Sequence, residues 1–98
     1  MPISICSNLR EFCSSMGPMY SIVRFDFDPV IYRDFRNGYE VEITGLNNLK
    51  KNKTATLYFW KNREKVVKAV IIEKPTPQLL TDVISTIISS LLSDEKRR

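Results

Sequence analysis

Three strand-like stretches, the first of clear period-two hydrophobicity, joined by links too short for anything but hairpins, limit most strongly how this chain can fold. In YEVEITGL, residues 39–46, Tyr39, Val41 and Ile43 share one side of an extended backbone, while Glu40, Glu42 and Thr44 share the other. TATLYFW follows after the polar link NNLKKNK, and KVVKAVIIE follows after KNRE. A crossover between parallel strands needs a dozen or more residues, so links of this length make the three segments antiparallel neighbours. The pattern therefore predicts a three-stranded meander over residues 39–73. Residues 20–27 alternate as well, with Val23, Phe25 and Phe27 opposite Arg24 and Asp26, and can add a fourth strand.

Helical spacing brackets this sheet. Ile5, Leu9, Phe12, Cys13 and Met16 recur at three and four residues, which predicts a helix over Ser4–Met16 that stops at Gly17-Pro18. Asp28-Pro29 is a good helix start, and a short helix through VIYRDF ending at Asn37-Gly38 is the favoured reading; the competing one is a hairpin, because Asn-Gly is a strong turn signal. After Lys74-Pro75, Thr76 can cap and Pro77 can open a terminal helix that reaches about Ser93. The expectation is a single α+β domain over residues 1–98: an antiparallel sheet of three to four strands, covered on one face by an N-terminal and a C-terminal helix.

The terminal helix raises the first functional question. Leu79, Leu80, Val83, Ile84, Ile87, Ile88, Leu91 and Leu92 spread over roughly 220° of a helical wheel, wider than the stripe of about 100° that packing on one sheet requires. Either the N-terminal helix covers the remainder, or Ile84, Ile88 and Leu92 meet a second copy or another protein. The leading expectation is a small non-catalytic interaction or regulatory domain, self-associating or docking through that edge.

Charge placement suggests an alternative. Net charge is +4, yet residues 50–74 carry eight cations against Glu64 and Glu73, whereas residues 1–49 are net −2. Within this basic stretch, Leu57 and Phe59 are expected to face the helices with Val67, Ala69 and Ile71. Tyr58 and Trp60 then point outward beside Val66, Lys68 and Val70. Lys61, Arg63 and Lys65 stand at one end of the hairpin, and Lys50, Lys51 and Lys53 at the other. An outward aromatic pair among cations can stack bases and track phosphates, so a nucleic-acid-binding module is the runner-up. The element order is shared with double-stranded RNA-binding domains, but Gln78, Thr81 and Asp82 stand where a basic run would open the last helix. No family is assigned on order alone.

Signals for chemistry are weak. The chain has no histidine, which removes Ser–His–Asp and Cys–His catalysis along with the commonest metal ligand. Cys6 and Cys13 would lie about 10 Å apart on a helix, beyond the about 7 Å that a disulfide spans, and read as small core thiols. Asp26, Asp28 and Asp34 could approach one another and hold Mg²⁺, but Asp28 is better used as a cap. No cofactor, metal or catalytic residue is expected. MPISICSNLREFC lacks the basic start and apolar run of a signal peptide, and residues 79–92 are too short for a membrane span, so a soluble, cytoplasmic protein is expected.

Overall fold

The computed structural model describes residues 7–25, 28–46 and 54–96. A helix α1 (Ser7–Met16) leads into strands β1 (Ser21–Phe25), β2 (Asp28–Asp34), β3 (Tyr39–Thr44), β4 (Thr54–Lys61) and β5 (Lys65–Glu73), followed by helix α2 (Pro77–Lys96). The strands form one antiparallel sheet in the order β1-β2-β3-β4-β5. The architecture is thus α+β, with five strands rather than three to four.

The extra strand is β2, where a short helix was the favoured expectation. Ser21 pairs with Tyr32 and Phe25 with Asp28 across β1 and β2, and Ile31 pairs with Ile43 across β2 and β3. A link of two residues from β1 suits a hairpin, and Val30, Ile31 and Tyr32 are good strand formers. Alternation fails here because consecutive residues Val30 and Ile31, which point to opposite sides of the strand, are both buried. Asn37-Gly38 is the hairpin turn of the competing reading. Gly38 takes a positive φ of 95°, Asn37 Oδ1 accepts the Tyr39 amide hydrogen at 3.1 Å, and the Phe35 amide donates to the Tyr39 carbonyl at 3.0 Å.

Both helices lie on one side of the sheet and pack against each other. Leu9 and Met16 of α1 and Leu80, Ile84 and Ile88 of α2 join Ile31, Tyr39, Val41, Ile43, Leu57 and Phe59 in one buried cluster. Burying each side chain of this kind stabilises the fold by about 1.5–3 kcal/mol. At the start of α2, Thr76 Oγ1 accepts the Leu79 amide hydrogen at 3.1 Å, as an N-cap should. The hydroxyls of Thr81 and Thr86 donate to the carbonyls of Gln78 and Asp82, so this polar flank is satisfied by the helix itself.

A bulge between β4 and β5 overturns the expected facing of β5 beyond Val67, while Val67 packs against the core and Val66 stands exposed opposite Trp60 as expected. Phe59 pairs with Lys68 but Trp60 pairs with Val66, which leaves Val67 as the extra residue. Beyond the bulge the parity is reversed. Val70 and Ile72 stand opposite Leu57 and Ala55 on the helix side and pack against the core, while Ala69 and Ile71 stand opposite Tyr58 and Thr56 and are exposed.

Candidate functional site

Ile84 and Ile88 belong to the interior, at 1% and 7% exposure, and Leu92 is half-buried against the same cluster. The first two present no surface that a partner could touch. The wide apolar arc of α2 is used up inside the chain: the sheet takes one flank and α1 another, and Val83, Ile87 and Leu91 line the margin. Of the arc, Leu79 at 38% is the residue that remains exposed.

The basic, aromatic cluster is dispersed as well. Tyr58 and Trp60 are half-buried on the face away from the helices, cross-strand from Glu42 and Glu40. Lys61 points to the other side, where its ammonium pairs with Glu95 and lies 4.1 Å from the centre of the Tyr39 ring. Tyr39 donates its hydroxyl to the same Glu95 oxygen at 2.9 Å. Burial first, and then that bond, raise the Tyr39 phenol above its usual pKa. Lys68 is exposed opposite Phe59, on the helix side of the register, and Lys65 is exposed beside the hairpin tip. Lys50, Lys51 and Lys53 lie outside the described residues.

Arg63 joins a network that its sequence neighbours did not suggest. It sits in the β4–β5 turn with a positive φ of 62°. Its Nε donates to Glu40 Oε1 at 3.0 Å, and a terminal nitrogen lies 3.6 Å from Asp34 Oδ2. The Tyr32 hydroxyl donates to the same Glu40 oxygen. Glu40 is only 6% exposed, and a carboxylate so buried needs such partners. Burial, followed by the bond to Glu40 and the negative charges of Glu40 and Asp34, pushes the Tyr32 phenol up to about 12, with Arg63 opposing.

Around this network the uncovered sheet face is hollowed into a recess of about 630 Å³, lined by Val23, Arg24, Tyr32, Glu40, Glu42, Trp60 and Arg63. Its lining combines the Glu40 carboxylate, paired with Arg63, with the rings of Tyr32 and Trp60. A phenol held protonated makes a poor base, and no group of three metal-ligating side chains occurs among the described residues. Asp26, one of the three carboxylates considered for Mg²⁺, lies outside them, and Asp28 starts a strand rather than capping a helix. The Cys13 thiol donates to the Tyr20 carbonyl at 3.5 Å, and burial raises its pKa. The recess is suited to holding a side chain by contact.

One signal for this site was present in the sequence. Glu40 and Glu42 share a parity, and a hairpin pairing of residues 39–44 with 56–61 places them among the aromatic residues of the next strand. The partners of Glu40 from β2 were hidden by the helical reading of that segment. No helix among the described residues is long and apolar enough to cross a membrane. Compared with known proteins, the chain matches no family model, no curated protein and no solved structure.

Proposed function

We propose that the protein is a small non-catalytic interaction domain that pairs with a second copy of itself through the uncovered face of its sheet. The observation that carries this reading is the coexistence, on one face, of the recess walled by Trp60 and of an exposed apolar strip on β5, with Ile71 at 69% and Val66 at 40% exposure. A two-fold interface uses the same patch on both subunits, so the patch must be self-complementary. A recess beside an exposed apolar strip meets that condition, and side chains such as Ile71 are stabilised when a partner covers them. The apolar edge of α2 plays no part in this reading, because Ile84 and Ile88 are already enclosed.

Light scattering at increasing concentration tests the proposal. The molar mass should rise from 11.4 kDa toward twice that value, and Ile71→Lys should hold the protein at the lower mass without loss of fold. A wild-type chain that stays at 11.4 kDa at high concentration overturns the proposal. The nucleic-acid reading keeps one supporting observation, the common face of Tyr58 and Trp60. Against it stand Glu40 and Glu42 directly beside those rings, and the engagement of Lys61 and Arg63 by carboxylates. Salt-sensitive quenching of Trp60 fluorescence by a mixed oligonucleotide pool would favour it.

A further inference from the structure

Arg33 lies on the helix side of β2, in register with the fully buried Val41. Its guanidinium carbon is 4.3 Å from the centre of the Phe35 ring and 5.2 Å from that of Tyr20. Both rings lie within cation–π distance of the guanidinium, and delocalised, weakly hydrated Arg suits such stacking better than Lys. Aromatic faces, however, satisfy none of its N–H donors. Arg33 Nε is buried and has no hydrogen-bond partner, alone in this respect among buried side-chain nitrogens and oxygens of the described residues.

The carboxylates in this part of the molecule are already engaged. Glu95, at the end of α2, binds Lys61 and Tyr39. Asp34 and Glu40, which follow the opposite parity of the sheet, bind Arg63. Arg33 forms no ion pair with any described residue, although the side chain is only half-buried and part of it still reaches solvent. A stacked, partly desolvated guanidinium with free donors is the arrangement by which proteins receive a planar or tetrahedral oxyanion in a forked pair of hydrogen bonds.

We propose that Arg33, clamped by Tyr20 and Phe35, is an oxyanion-binding site that receives a carboxylate or phosphate group from outside the chain. The site lies on the side of the sheet opposite the pairing face proposed above and does not depend on it. The side-chain Nε–Hε resonance of Arg33 in the ¹⁵N-labelled full chain, assigned by its loss in Arg33→Lys, gives a direct readout. Inorganic phosphate, acetate and chloride are titrated at constant ionic strength. The resonance should shift saturably with phosphate or acetate and not with chloride. Tighter binding of phosphate assigns the site to phosphorylated ligands, and tighter binding of acetate assigns it to carboxylates.

Arg33→Lys keeps the charge but lacks the fork, and its nearby backbone amides should lose the saturable response. Phe35→Leu keeps the arginine and removes one ring, and should weaken binding by about two- to five-fold. A wild-type shift that matches chloride, or one that persists unchanged at neighbouring amides in Arg33→Lys, overturns the proposal. Where Arg33→Lys fails to fold, the resonance is assigned by correlation to the Arg33 backbone, and the wild-type titration then decides the matter.

Discussion

Truncating Ile84 to alanine separates an enclosed α2 from a helix that offers a docking edge. Ile84 is 1% exposed, inside the cluster that also contains Leu9, Leu57 and Phe59. Ile84→Ala removes three buried carbons, worth about 0.8 kcal/mol each in transfer free energy. The unfilled cavity adds to this, so the total loss should be about 3 kcal/mol within the usual range of about 2–5 kcal/mol for such changes. Ile71→Ala is the control. It removes the same atoms at 69% exposure and should cost no more than about 0.5 kcal/mol in dilute solution. Urea unfolding followed by far-UV circular dichroism reads both. With a slope of about 1.5 kcal/mol/M, the midpoint for Ile84→Ala should fall by about 2 M while that for Ile71→Ala barely moves. The gap between Ile84→Ala and wild type should not depend on protein concentration, because Ile84 packs entirely against side chains of its own chain. A shift for Ile84→Ala below about 0.5 M, or one that disappears on dilution, would refute the reasoning and return Ile84 to an intermolecular surface.

Three further outcomes follow from local geometry. Gly45 has a φ of +91°, and a Cβ there would lie 2.7 Å from the Thr54 carbonyl oxygen. Gly45→Ala should therefore destabilise the β3–β4 connection by more than about 1 kcal/mol in the same urea assay, whereas a neutral result would contradict that close approach. Thr76→Ala removes the oxygen that accepts the Leu79 amide hydrogen and should cost about 0.5–2 kcal/mol, with most of the loss of helical signal arising from α2. Tyr32 ionises near 12 in the folded state against 10.0 for a phenol in water, so the stability it contributes is complete below pH 10 and is lost as pH rises through about 12. Tyr32→Phe should reduce the late component of the phenolate absorbance titration and flatten the stability loss across that window. Tyr39, also raised, keeps the late component from disappearing.

The meander and the terminal helix were legible because each rests on a local rule. Tyr39, Val41 and Ile43 alternate with Glu40 and Glu42, and Thr76-Pro77 opens α2 by cap chemistry visible in two residues. β2 was hidden for a tertiary reason, since burial of both Val30 and Ile31 erases the period that identifies a strand. The width of the α2 arc is plain in the sequence, but its cause is not. A helix that packs on a sheet and on a second helix buries two flanks, and the spacing of Ile84 and Ile88 does not reveal how many neighbours are present.

Charge proved the least local property of all, and the reason lies in the parity of strands. Lys61 and Arg63 are neighbours in a basic run, yet the strand and turn carry them to different carboxylates, Glu95 on the helix side and Glu40 on the other. A bulge at Val67 then reverses the facing of the rest of β5, so that Lys68 leaves the face of Trp60 to which simple alternation would send it. Two cations of the run are thus matched by carboxylates of the same chain. Among the described residues, the half-buried cation without a carboxylate is Arg33, which belongs to the part of the sequence that is net negative. An excess of lysines along the chain thus does not by itself locate a binding face, because pairing across the sheet decides which cation is left without a carboxylate.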